Sequence, residues 1–369
     1  MQPEVTKSLA LRLTNKETLL DPKKLPEKVV KLQGKLNHKV IGQDRAIKEI
    51  VKAYTTMTVN IQREGRPLGV FLFLGPTGVG KTEVVRQFAA ALLGDRNRYT
   101  RIDCTEYAES HAALKLTGAP PSYLGYGDEP RLSQKNINKY QTKTEKTNIL
   151  LFDEIEKGAP KLWDTIMTIL GDGILTLGTG AVTNFERTFI FLTSNLGSED
   201  TRKILDGSGL GFQTPRVTRE ETDDKLYRAA KAQVKKHFRP EFANRLDRIV
   251  VFRPLSRESL KKILKLELDE LQWRIWRSPW HGLDFASGER IASSRSIIFK
   301  LTDAASEFLL DEGTSEVFGA RELNRVIDRF VGFPMASLIA SEQLVHGDTV
   351  KVDKLSEEED FRFLKQEKV

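Results

Sequence analysis

The stretch Gly75-Pro76-Thr77-Gly78-Val79-Gly80-Lys81-Thr82 decides the fold. It fits G-x-x-x-x-G-K-[ST], a loop whose backbone wraps phosphate groups. The glycines let the chain turn tightly enough to aim N–H groups at phosphate oxygens. Lys81 sets a point charge against the β and γ oxygens, and the Thr82 hydroxyl is a ligand for Mg²⁺. The flanks agree. Val70-Phe-Leu-Phe-Leu74 is an unbroken apolar run, the pattern of a parallel strand buried on both faces. After Thr82 and Glu83, the residues Val84, Val85, Phe88, Ala89 and Leu92 recur at helical spacing, which places the phosphates on a helix N-terminus. A bare Gly-rich turn is the alternative, and the strand-loop-helix context favours phosphate binding.

Working outward, four further short runs read as strands: Tyr99–Asp103, Ile149–Phe152, Thr188–Leu192 and Arg248–Phe252. Helical periodicity separates them. Such alternation predicts an α/β domain: a five-stranded parallel sheet flanked by helices, with ligands at the carboxyl ends of its strands. Residues 1–30 read as a polar lead-in and 31–254 as a large nucleotide-binding domain. The pattern changes at Arg253-Pro254. Leu260, Ile263, Leu264, Leu268, Leu271 and Ile275 mark one helix face, and further helices are expected at Asp303–Leu310 and Ala320–Leu338. Residues 255–356 therefore read as a smaller, mainly helical lid domain closed by a strand at Asp348–Val352. Trp273, Trp276 and Trp280 precede a Gly/Ser-rich stretch, Gly282–Ser296, which reads as a loop insertion. Residues 357–369 read as a charged, frayed tail.

Composition narrows the classes. The chain has 369 residues, 39% of them hydrophobic and 30% charged, with room for two or three domains. No apolar run is long enough for a membrane span and no signal-peptide pattern opens it. The single cysteine, Cys104, cannot form an internal disulfide, which suits a reducing, cytoplasmic setting. The five histidines lack metal-ligand spacing. A net charge of +7 is compatible with an acidic partner such as nucleic acid. The basic residues are nevertheless dispersed among acids, and no nucleic-acid reading module is visible.

Two more stretches carry chemistry. Ile149-Leu-Leu-Phe-Asp153-Glu154 is an apolar strand that ends in two acids. Asp153 is placed to hold Mg²⁺ through water, and Glu154 to orient an attacking water. Thr193-Ser194-Asn195 follows another apolar strand, and the Asn195 amide is placed to contact a phosphate or a water.

In these motifs the chain resembles the Clp-type AAA+ ATPases, close to the second ATPase module of the ClpB/ClpA/ClpC chaperone-unfoldases. The matching residues are the phosphate loop, Val40–Ile47, Asp153-Glu-Ile-Glu-Lys157, Thr193-Ser-Asn-Leu-Gly197, Phe238-Arg-Pro-Glu-Phe242, Asn244-Arg-Leu-Asp247 and Gly319-Ala-Arg321. The resemblance implies ATP with Mg²⁺ as cofactors, a homo-hexameric ring, polypeptide as substrate, and hydrolysis that drives threading through a central pore. In that pattern Val40 and Ile41 wall the adenine and Asn195 is the first sensor. Arg245 is the arginine finger for the neighbouring subunit's site, and Arg321 is the second sensor. The alternatives are a salt bridge of Arg245 with Asp247 and of Arg321 with Glu322, with Arg239 a rival finger.

The loop Gly118–Gly127 resembles the family's substrate-gripping pore loop, with Tyr123 and Leu124 in the gripping positions; Tyr126 fits either grip or packing. It departs from the pattern at Ser122, where glycine is usual, and at Asp128-Glu-Pro-Arg131, which replaces a glycine pair. Gly173–Gly180 resembles the second pore loop but lacks its charged residues. Leu210-Gly211-Phe212 resembles the tripeptide that docks unfoldases on a ClpP-like peptidase, or else anchors its own loop. The sequence holds one module, without the first module or coiled-coil insertion of ClpB, so a compact protein and a piece of a longer one both stay open. An AAA+ motor acting on nucleic acid is the alternative function.

Overall fold

The structure is a computed structural model describing residues 21–109, 112, 114–118, 127, 129–197, 219–277, 279–283, 290–294, 297–314, 320–355 and 360–366. For 219–224, 279–283 and 290–294 only the backbone is described.

Five parallel strands build the main sheet: β1 (Gly69–Leu74), β2 (Thr100–Asp103), β3 (Asn148–Asp153), β6 (Thr188–Ser194) and β7 (Arg248–Val251), in the order β2-β3-β6-β1-β7. Between β3 and β6 lies a small hairpin of β4 (Ile174–Thr176) and β5 (Val182–Asn184). Every residue of β1, β3 and β6 is buried. Side chains alternate faces along a strand, so the apolar runs supply two cores at once. Val70, Leu72, Leu150, Phe152, Ile190 and Leu192 point to one. Phe71, Phe73, Ile149, Leu151, Phe189 and Phe191 point to the other. On that second face Phe71 stacks on Phe191 at 5.0 Å, and Phe88 of the helix Lys81–Leu93 meets Phe189 edge-on at 5.1 Å. Aromatic pairs in these geometries add to the area they bury. They fix the height of the helix, and with it the phosphate loop.

Residues 257–366 carry a third core. The helices Arg257–Arg277, Asp303–Gly313, Arg321–Ile327 and Phe333–Ala340 pack there through Leu260, Leu264, Leu309, Leu323 and Met335. Two expectations need correction. The Gly/Ser-rich stretch is not a plain loop: β8 (Pro279–Leu283) and β9 (Arg290–Ser294) pair antiparallel. Ladder hydrogen bonds need only backbone, so a polar stretch such as Arg290-Ile-Ala-Ser-Ser294 can pair without an apolar signature. The expected closing strand at Asp348–Val352 is present as β11 (Thr349–Asp353), and it runs parallel to β10 (Ile298–Leu301). The charged tail, finally, is not all frayed. β12 (Arg362–Gln366) pairs antiparallel with β11, anchored by buried Phe361, which stacks on Phe330 at 5.5 Å. Two aromatics among charges, Phe361 and Phe363, seat the strand on the third core. The expected helix at Ala320–Leu338 contains a wide turn at Asp328–Gly332, just before Pro334, a residue with no N–H for a helical ladder.

The tryptophans do not share one role. Trp276 donates its indole N–H to the Ile297 carbonyl at 2.9 Å, whereas Trp273 is exposed beneath the Arg277 guanidinium. Among the described residues no helix is long and apolar enough to cross a membrane.

Candidate functional site

The phosphate loop leaves β1 at Leu74 and enters the helix Lys81–Leu93. Gly75 has φ +148° and presses on β7's end, where a Cβ would lie 2.7 Å from the Phe252 carbonyl oxygen. Gly80 caps the helix with φ +98°, a conformation that favours glycine. No side chain caps that first turn, so its N–H groups face the cavity in front of it.

That cavity is about 360 Å³, a size suited to a small ligand. It is lined by every expected phosphate-loop residue from Pro76 to Glu83, and also by Val40, Ile41, Asp153, Glu154, Asn195 and Arg321. Residues about 280 positions apart in sequence thus meet at the carboxyl edge of one sheet. The lid side contributes Leu255, Ile263, Leu266 and Glu267. It is tied to the loop directly, since the Ala320 N–H donates to the Gly78 carbonyl at 3.2 Å.

Lys81 is the centre of the arrangement. Its ammonium donates to the carbonyls of Gly75 (2.5 Å) and Pro76 (2.8 Å) and to Asn195 Oδ1 (2.8 Å). Burial pushes its pKa down to about 8, against the opposing pull of Glu156, Asp153 and Glu154. Burial disfavours the charged form, and an anionic ligand restores it. Two consequences follow for a phosphate ligand. Its binding takes up about half a proton per site at pH 8 and almost none at pH 6.5, and its affinity declines as pH rises through about 8. Calorimetry of ADP binding in buffers of different ionisation enthalpy checks this. Zero uptake at pH 8 would contradict the assignment of Lys81.

At the end of β3, Asp153 is almost fully buried. Its Oδ1 accepts from the Thr193 hydroxyl and stands 3.5 Å from Thr82 Oγ1. These are hard oxygen donors, the set a small divalent cation takes. Glu154 follows in the left-handed region at φ +55°, held by its N–H donating to Thr193 Oγ1 at 3.0 Å. A non-glycine residue there bears a strain cost, here at a candidate catalytic position.

Four residues of the site carry no assigned role in the sequence reading, three of them (Gln43, Glu156 and Thr193) inside the matching stretches and Arg101 outside them. Gln43 donates to the Val79 and Arg253 carbonyls at 3.1 and 3.0 Å, joining the Val40-Ile41 turn to the loop. Glu156 Oε1 accepts from the Asn195 N–H at 2.9 Å, while Thr193 holds the two acids. Arg101 pairs with Asp153 at 2.8 Å. Its alternation with Asp103 along β2, which puts both on one face, was the available signal.

Arg245 stands apart from the cavity of its own chain. Its guanidinium donates to the Met167 carbonyl and packs against Gly171, on the helix Pro160–Asp172. Asp247, the partner weighed for it, instead accepts from the Val70 N–H at 2.8 Å. The rival Arg239 is paired with Asp164 at 3.3 Å. Glu322 pairs with Arg325 at 3.0 Å, leaving Arg321 on the cavity wall. Cys104 is buried, and burial pushes its thiol pKa up, as fits an inert packed residue. Tyr123, Leu124, Tyr126 and Leu210-Gly211-Phe212 lie outside the described residues.

Sheet order, phosphate loop and acid-tipped β3 define a P-loop nucleotide-binding protein with an AAA+ lid. Residues 66–249 match the family described as AAA domain (Cdc48 subfamily), and residues 286–352 match the C-terminal, D2-small domain of ClpB protein. The chain is 36% identical over 323 residues to the chaperone protein ClpB of Meiothermus ruber, covering 87% of this chain and 34% of that protein. It is 34% identical over 327 residues to an ATP-dependent Clp protease ATP-binding subunit ClpA homolog of Guillardia theta, covering 89% and 37%. A cryo-electron microscopy structure of Hsp104 in a closed state with ATPγS and FITC-casein superposes with TM-score 0.69 at 30% identity, covering 91% of this chain and 52% of that one. The chain belongs to the Clp-type AAA+ ATPases and corresponds to their C-terminal ATPase module. It spans about a third of the length of the curated relatives it matches.

Proposed function

We propose that this chain hydrolyses ATP with Mg²⁺ and, in a hexameric ring, spends the energy on unfolding polypeptide. The observation that carries the reading is the convergence of Lys81, Thr82, Asp153, Glu154 and Asn195 on one cavity, while Arg245 points away from it. A finger arginine that stands away from its own cavity is available to a neighbour's, which is the logic of a closed ring. Magnesium, when bound, neutralises phosphate charge, with Thr82 and Asp153 as its oxygens. Lys81 binds phosphate oxygens, Glu154 takes the proton of the attacking water, and Asn195 orients that water. Val40 and Ile41 hold the base, and Arg321 answers the phosphate from the lid. Tyr123 and Leu124 grip the polypeptide through contact area, a grip indifferent to sequence. Leu210-Gly211-Phe212 is the segment for a ClpP-like peptidase. The buried free thiol of Cys104 suits a reducing compartment, the cytoplasm.

Loss of fluorescence from a folded reporter protein bearing an unstructured tail tests this. ATP is expected to drive the loss and ATPγS to slow it strongly. A reporter that keeps its fluorescence, together with steeply salt-dependent duplex DNA binding by the protein, would support the nucleic-acid motor instead.

A further inference from the structure

Strand β2 presents Arg101 and Asp103 on the same face, two residues apart. Register sets Asp103 directly opposite Asp153 on β3. Carboxylates at facing positions repel. Arg101 bridges them: Nη2 lies 3.1 Å from Asp103 Oδ2 and 2.8 Å from Asp153 Oδ2, and Nε donates to that same Asp153 oxygen at 3.1 Å. The guanidinium fork therefore grips one oxygen of Asp153 and leaves Oδ1 toward Thr193 and Thr82. Asp103 is fixed in turn, its Oδ1 accepting from the Thr105 N–H at 3.2 Å and hydroxyl at 2.7 Å. A chain of polar contacts from Thr105 through Asp103, Arg101 and Asp153 to Thr193 runs along the carboxyl edge of the sheet.

We propose that Arg101 is a positioning residue for the metal-holding carboxylate: by pinning Asp153 Oδ2 it keeps Oδ1 turned to Thr82. This rests on the reading of Thr82 and Asp153 as the magnesium oxygens. The carboxyl torsion of aspartate is broad and two-fold, so a free Asp153 would lose that freedom on meeting a cation. A held Asp153 has lost it already. Arginine suits the task because its planar fork fixes an angle that a lysine point charge does not. The Arg101 side chain is 46% exposed and Asp153 11%. At these separations screening is weak, so the guanidinium's repulsion of a bound cation opposes the gain from orientation, and the sign of the change in Mn²⁺ affinity decides between them.

The test uses Mn²⁺ as probe on ADP-saturated protein, with free Mn²⁺ followed by electron paramagnetic resonance. Arg101→Met is expected to raise the Mn²⁺ dissociation constant about tenfold, while ADP affinity measured in EDTA stays within about twofold of wild type. Arg101→Lys is expected to fall between them. Unchanged or tighter Mn²⁺ binding in Arg101→Met overturns the proposal, as does an equal loss of ADP affinity in EDTA, which marks a merely structural residue. Asp153→Asn is measured beside it. If that variant binds Mn²⁺ as wild type does, the magnesium reading itself is wrong. If Asp153→Asn weakens Mn²⁺ and Arg101→Met does not, only the positioning role is lost.

Discussion

Replacing Glu154 with glutamine is expected to cut steady-state ATP hydrolysis at least ~100-fold while leaving ATP and ADP affinity within about threefold of wild type. The expectation follows from geometry. Glu154 is held by its own backbone, through the bond from its N–H to Thr193 Oγ1 and a left-handed φ of +55°. Its carboxylate lines the cavity and makes no hydrogen bond or ion pair of its own among the described residues. It is thus free to accept a proton from water. Glutamine keeps the shape and the backbone bond and loses only the basicity. Phosphate contacts stay with Lys81 and the loop N–H groups. Equilibrium binding of a fluorescent nucleotide and a phosphate-release assay read the two effects separately. Hydrolysis at the wild-type rate would falsify the role of Glu154.

The second large effect belongs to Arg245. Arg245→Ala is expected to lower hydrolysis about 10³-fold in the assembled protein, again with nucleotide binding retained. Its guanidinium sits on the Met167 carbonyl and against Gly171, outside its own cavity, so any catalytic contribution is made to a neighbour. Subunit mixing exploits this. Arg245→Ala and Glu154→Gln are each expected to be nearly inactive. Mixed in equal amounts, they form some interfaces with an intact Glu154 on one side and an intact Arg245 on the other, about a quarter of the total. Activity should therefore return on mixing. A mixture as inactive as its components would shift the finger to Arg239 or leave Arg245 a structural role. Gly171→Ala places a methyl against the guanidinium and is expected to act in the same direction, more weakly.

The legible parts of the sequence were those where chemistry forces both residue type and position. Only glycine tolerates the φ of Gly75 and Gly80, and a strand buried on both faces must be apolar throughout, so β1, β3 and β6 could be read directly. Asp153 and Glu154 stood out as acids closing such a strand. Residues that act through other residues carry no such mark. Arg101 looks like an ordinary surface charge until register sets Asp103 opposite Asp153, and Gln43 like a turn residue until its amide reaches the Val79 and Arg253 carbonyls. Pairing set by backbone alone was equally silent, as in the β8–β9 hairpin, and β12 showed only through Phe361 and Phe363.

The most direct measurement is steady-state ATPase activity with unfolded polypeptide, with single-stranded DNA and with duplex DNA, for the wild type and for Tyr123→Ala. Polypeptide alone should stimulate the wild type, and the stimulation should vanish in Tyr123→Ala while the basal rate is kept. Stimulation by DNA that is indifferent to Tyr123 would contradict the unfoldase reading and make the basic surface the working one.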